Sequence, residues 1–250
     1  MVDPDGKDTW FVHGTIFADY SQDDNHFQSL GKRYAEGHLR SWQNALGDTG
    51  EGHFSNWSGG NNDKERREAA AQLAFSIMQT LHKDPSKTVN IVAHSHGGNV
   101  AIMALNTLAN AGINTKTVVM MGTPSRAYKL TDTARRHIQT TLNLYNKYDG
   151  VQTNGGSTPR FVGGDRLGNP VYTGGFEIGP AGRAHGGFDN RDVTDLTGLK
   201  SLQVPIYAKG RQVGYRTQNP GIWDAHGAMH TNQNVMNFVH QYLVHRGLAK

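Results

Sequence analysis

Ser95 stands in Ile91-Val-Ala-His-Ser-His-Gly-Gly98, after a run of β-forming residues and ahead of a helical pattern. A serine in a tight strand-to-helix turn projects its hydroxyl as a nucleophile, and such a turn demands small residues two places before and after it. Here these are Ala93 and Gly97. The start of the following helix stabilises a developing oxyanion, with the His96 backbone N–H as one donor. Phe11-Val-His-Gly-Thr15 ends an earlier strand and offers a second donor, the backbone N–H of Thr15. The plainer readings are a serine in a Gly-rich turn and an ordinary strand end. The two motifs in one chain favour acyl-transfer chemistry.

That chemistry needs a base and an acid to orient it. Asp149, in Tyr145-Asn-Lys-Tyr-Asp-Gly150, follows a strand and comes after the serine. The order Ser…Asp…His is one of those that build a triad. A turn Asp before Gly is also common, and Asp189, Asp192 and Asp195 are the other candidates. Among 13 histidines, Trp223-Asp-Ala-His-Gly-Ala-Met-His230 holds the two best placed for the base, just before the last helix. His226, expected in a loop, is preferred. His230, nearer the helix, suits packing or capping. His94 and His96 flank the nucleophile and must point away from it, as structural or pocket-lining residues. His13 suits a structural hydrogen bond. His226 and His230 have an i, i+4 metal spacing, but the pattern implies no third ligand. The reading calls for no metal and no cofactor.

The elements that position these residues alternate. Strands are expected at Thr9–His13, Thr88–Ala93, Thr115–Met121 and Ile138–Tyr145, with a short one near His53–Trp57. Helical spacing runs over 26–46, over 63–83 with Asp63 as N-cap, over 97–111 and 231–244, with a short helix at 131–137. The Arg66-Arg67 pair reads as a solvated helix face. Strands interleaved with helices mean βαβ units and a mostly parallel sheet. From 150 to 222 the pattern breaks into short β-like pieces. Eleven of the 31 glycines lie between Val151 and Asn190. A connection of this length is usually functional. Residues 151–221 are expected to form a cap or lid, with Phe176 and Ile178 touching an acyl chain; the alternative is a small β-extension packed on the sheet.

The chain has 250 residues, enough for one large domain, drawn as 9–250. Cys is 0, which excludes disulfides, thiolate metal sites and thiol nucleophiles. The net charge of +4 is mild and its basic residues are scattered, which argues against a nucleic-acid partner. No apolar run is long enough to span a bilayer, so membrane contact is at most peripheral. The first eight residues have no apolar core of a signal peptide.

Together these motifs resemble the α/β-hydrolase superfamily, and within it small lipases and esterases. The resemblance implies an α/β-hydrolase fold, a mostly parallel sheet with helices on both faces. It also implies a Ser95–Asp149–His226 triad that cleaves lipid or phospholipid esters. A peptidase or acyltransferase shares this triad, and a hydrolase fold used only for binding would lack it. Val2-Asp-Pro-Asp-Gly6 resembles the motif closing the core of Rhs-type polymorphic toxins. It implies that residues 1–8 are the end of such a core and that the chain is a lipase effector. Delivery would be by type VI secretion without a signal peptide, with a cognate immunity protein as partner. Without that role, the chain is a cytoplasmic or secreted small-ester hydrolase.

Overall fold

The computed structural model describes residues 7–14, 38–55, 57–60, 62–124, 128–154, 160–164, 170–173, 184–199, 202–208, 211–218 and 222–250. In chain order the strands begin with β1 (Lys7–Val12), β2 (Gly52–Phe54), β3 (Thr88–His94), β4 (Thr115–Met121) and β5 (Ile138–Tyr145). They continue with β6 (Arg160–Gly164), β7 (Pro170–Thr173), β8 (Asp189–Asp192), β9 (Leu202–Ala208) and β10 (Arg211–Gln218). The helices are α1 (38–45), α2 (Asp63–Lys83), α3 (His96–Asn110), α4 (Asp132–His137), α5 (Gly150–Asn154), α6 (Ile222–Thr231) and α7 (Gln233–His245).

Six strands make one parallel sheet in the order β2-β1-β3-β4-β5-β8. The chain leaves β1 toward β2 on one side and then crosses to β3 on the other. The order therefore reverses between β1 and β3, and in open α/β sheets ligands bind in the crevice outside the carboxyl ends of strands at such a point. The register levels those ends: Val12 lies beside Ala93, His94 beside Met121, and Met121 beside Leu144. His13–Gly14, Ser95, Gly122–Thr123 and Asn146–Asp149 thus follow from one edge.

Helices cover both faces. Trp10, Ile91, Val118 and Met120 pack with Leu73 and Ile77 of α2 and Val100, Leu105 and Leu108 of α3. On the other face Phe11, Val92, Val119, Met121 and Leu142 meet Trp42 of α1, Met229 of α6 and Val235, Val239 and Leu243 of α7. Burying each such aliphatic or aromatic side chain contributes about 1.5–3 kcal/mol. The inner strands are buried on both faces, which is why β3 and β4 read as continuous apolar runs. This sheet order, double helical cover and a strand–serine–helix turn between β3 and α3 make the fold an α/β-hydrolase fold.

Several expectations change. The cap of α2 is Asn62, whose side chain accepts from the Glu65 N–H, and Asp63 is the first helical residue. Arg66 is not solvated: it is 1% exposed and its Nε donates to the Tyr128 hydroxyl, while Arg67 stays at the surface on Asp63. β1 starts at Lys7, so Lys7 and Asp8 belong to the sheet, paired with Thr88 and Val89, and not to a linker. Asp8 is fully buried and held by Lys87 and His53.

The segment 151–221 is not all insertion. Its β8 is the sixth strand of the main sheet, and Phe188 joins the core on the α2–α3 face. The same segment contains two antiparallel hairpins, β6–β7 and β9–β10, each a separate two-stranded sheet. Phe176 and Ile178 lie outside the described residues, as do Thr15, the 2–6 motif and the first part of the 26–46 helical pattern.

Candidate active site

Ser95 sits between the last residue of β3 and the first of α3. Its backbone has φ 55° and ψ −134°, and among the described residues it is the one non-glycine with positive φ. Such a conformation costs about 1–3 kcal/mol and persists only where the surroundings enforce it. Here the Ser95 N–H donates to the Met121 carbonyl at 2.8 Å, and the Gly98 N–H donates to the Ser95 carbonyl at 3.0 Å. Space does the rest. A Cβ on Gly97 would overlap the carbonyl oxygens of Val12 and His13, and one on Gly14 would overlap the Ser95 side chain. The requirement for small residues around the serine is therefore a requirement that β1 and α3 close on it. The Ser95 side chain does not cap α3, so the helix's positive end backs directly onto the turn that carries the Ser95 hydroxyl.

Asp149 and His226 are 77 positions apart in sequence, yet the His226 Nδ1 lies 2.8 Å from Asp149 Oδ2. Both residues are buried. The second carboxylate oxygen, Oδ1, accepts from the Gln152 N–H at 2.8 Å. Gln152 is itself fixed, its Nε2 donating to the Thr123 carbonyl, which His185 also approaches with its Nε2 at 3.0 Å. With a carboxylate on Nδ1, that nitrogen carries the proton and Nε2 is the basic atom. Gly122 stands at the junction of the pair. Its φ is +57°, and a Cβ there would lie 3.0 Å from both Asp149 Oδ2 and His226 Nδ1.

His226 lies on α6 and not in a loop, the opposite of the expectation. His230, one turn further along the same helix, is fully buried, and burial pushes its ring down to about 3. Its backbone carbonyl accepts from Trp42 Nε1 at 3.0 Å. Asp149 is the acid that meets His226; Asp189 instead pairs with Arg191 and Tyr242, and Asp192 accepts from Thr194. Among the described residues no hydrogen bond joins Ser95 Oγ to the His226 ring.

His94 is more than a flanking residue. Its Nε2 donates to the His226 carbonyl at 3.1 Å, and its ring lies 4.5 Å from the His226 ring and 4.1 Å from that of His230. Burial, then the neighbouring His226, hold it well below the usual imidazole value. Nothing in the sequence marked this contact. His96 accepts from Asn99 Nδ2. His13 has both ring nitrogens on carbonyl oxygens, Nδ1 at 2.7 Å from Gly14 and Nε2 at 3.1 Å from Trp57. Asp8, Glu51 and His53 bring three potential metal-ligand atoms within 4.8 Å of one another, but the Lys87 ammonium already lies 3.0 Å from both Asp8 oxygens. That cluster sits at the opposite, amino-terminal end of β1.

No family model matches the sequence, and no curated protein matches it. Among solved structures the chain is similar to an acetyl xylan esterase, at 14% identity and TM-score 0.30, covering 53% of this chain and 79% of that one. It is also similar to the RedJ thioesterase of the prodiginine pathway in Streptomyces coelicolor, at 18% identity and TM-score 0.29, covering 48% and 41%. A third is phospholipase PlaB from Legionella pneumophila, at 16% identity and TM-score 0.24, covering 47% and 25%. These likenesses are too distant to bear on substrate or site.

Proposed function

We propose that the chain is a serine hydrolase of carboxylic esters, with Ser95 as nucleophile, His226 as base and Asp149 as the acid that orients it. The observation that carries this reading is the strained turn at Ser95, on the same sheet edge as the buried Asp149–His226 pair. His226 Nε2 takes the Ser95 proton as Oγ attacks the ester carbonyl. The tetrahedral intermediate collapses, the same proton passes to the departing alkoxide, and an acyl-serine remains. Water, deprotonated by His226, then releases the acid and restores the serine. Asp149 keeps the imidazole in the required tautomer and balances its transient charge. The backbone N–H groups of His96 and Thr15 are proposed to bind the oxyanion, each lowering the barrier by about 3–4 kcal/mol.

The proposed substrate is a lipid ester, specifically a phospholipid of a bacterial envelope, with the chain acting as an antibacterial effector restrained by an immunity protein. The resemblance of residues 2–6 supports this finer reading. A fluorophosphonate probe should label Ser95, located by peptide mass spectrometry, and Ser95→Ala should not be labelled. Incubation with bacterial lipid extract should release free fatty acid and lysophospholipid. Labelling without lipid products, but with hydrolysis of short soluble esters, would leave a small-ester hydrolase. No labelling at Ser95 in the folded protein would overturn the reading.

A further inference from the structure

We propose that His94 is a positioning residue that fixes the root of the His226 side chain, and with it the direction of Nε2. This rests on the hydrolase reading above. An imidazole hangs from its Cα by two torsions, so a bond to one ring nitrogen alone leaves the ring free to swing about that bond. Asp149 holds Nδ1 at 2.8 Å. The second point of attachment is the His226 backbone carbonyl, which accepts from His94 Nε2 at 3.1 Å across 132 positions of sequence. A carbonyl oxygen has two lone pairs, so it takes this donor in addition to any helical one. His94 adjoins Ser95 at the end of β3. The strand that presents the nucleophile therefore also grips the backbone of the base, and a shift of β3 carries both groups together.

The geometry selects one protonation form of His94. A neutral imidazole has one N–H, and here it must be on Nε2 to meet a carbonyl. Burial keeps the ring neutral. The ring is also wedged between the rings of His226 and His230, 4.5 Å and 4.1 Å away, which stops it turning out of this contact. A side chain serving only to fill space would need the wedge but not the donor.

That difference defines the test. His94→Phe keeps a ring and removes the donor; His94→Gln loses the ring and keeps an N–H at a similar reach. The readouts are kcat and KM for p-nitrophenyl butyrate, thermal stability, and the low-field proton resonance of the His226 Nδ1–H in the Asp149 bond. His94→Phe should lose about 50-fold in kcat with KM little changed, and its low-field proton should broaden into exchange. His94→Gln should recover to within about fivefold and keep the resonance, although it packs less well. His94→Phe with near-wild-type kcat and resonance overturns the proposal, as does His94→Gln as poor as His94→Phe at equal stability. If His94→Phe does not fold, His94→Asn takes its place: its donor falls short of the carbonyl, and activity equal to that of His94→Gln overturns the proposal. If the wild-type protein releases no p-nitrophenol, the hydrolase reading fails, and the resonance alone decides the role of His94.

Discussion

Ser95 is held in an unfavourable backbone conformation by backbone hydrogen bonds and close packing of β1 and α3. Gly97 and Gly14 let α3 and β1 approach it, and the Met121 carbonyl takes its N–H. Removing the hydroxyl relieves none of this, so Ser95→Ala should fold as the wild type does. Its ester hydrolysis should fall by about 10⁴-fold or more, to the residue left by oxyanion binding. His226→Ala should lose as much, since nucleophile and base act as one unit. His230→Ala should behave differently: its ring is fully buried against those of His94 and His38, so its loss opens a cavity. We expect a lower melting temperature and at most about a tenfold loss of rate. Rates and melting curves of the three variants check this. A His230→Ala more damaging to rate than His226→Ala would exchange the two roles.

At the scale of elements, the turns after the strands do the positioning. Gly122, after β4, has φ +57°, and Gly112, after α3, has φ +75°. Both substitutions to Ala therefore carry the strain of a left-handed backbone, about 1 kcal/mol or more. Only at Gly122 would the new methyl press on Asp149 and His226; at Gly112 it meets open space. Gly122→Ala should lose activity by about 100-fold, while Gly112→Ala loses stability alone. Equal rates in the two would show that the pair tolerates displacement. Sequence patterning revealed the inner strands because burial on both faces writes a continuous apolar run, and β4 and β5 have the expected bounds. It did not reveal β8, since Asp189-Asn-Arg-Asp192 is an edge strand of polar residues held by backbone pairing to β5. It missed α6 because Gly227 interrupts a short helix whose place is set by tertiary ties from Asp149, His94 and Trp42. Such ties join positions far apart in the chain and leave no local pattern. With Gln152 tied to Asp149, and Phe188, β8 and Val193 built into the core, the cap hypothesis narrows to the remaining residues of 151–221. Replacing Phe176 and Ile178 together with Ser should reduce hydrolysis of long-chain phospholipid and spare a short soluble ester. Equal loss on both, with a lower melting temperature, would make these residues core.

At the scale of the whole molecule, buried histidines tie stability to pH. His13, His94, His185 and His230 all lie buried, and burial lowers each ring from its ordinary value. The unfolded chain has no such restriction, and its imidazoles take up protons near pH 6.5. Below that value the unfolded state binds more protons than the folded one, so stability falls as pH falls. Above it both states are neutral and this contribution is fully present. For His230, displaced to about 3, the loss spans the window from 6.5 down to about 3. At pH 5 it amounts to about 2 kcal/mol from this one residue. The other three add to it in the same direction. Carboxylates at their ordinary values, near 4, contribute little between pH 7 and 5; Asp48, raised by burial, opposes the histidines as it takes up its proton in the folded state. We therefore expect the urea midpoint to be flat above pH 7 and to drop clearly by pH 5. His230→Leu separates this from general acid sensitivity. It removes one proton-binding site from the unfolded chain while keeping an apolar filling. Its stability at pH 7 will differ from wild type because of repacking, but its loss between pH 7 and 5 should be smaller by about 2 kcal/mol. An unchanged pH dependence in His230→Leu would mean that the buried ring is protonated as readily in the folded protein as in the unfolded chain.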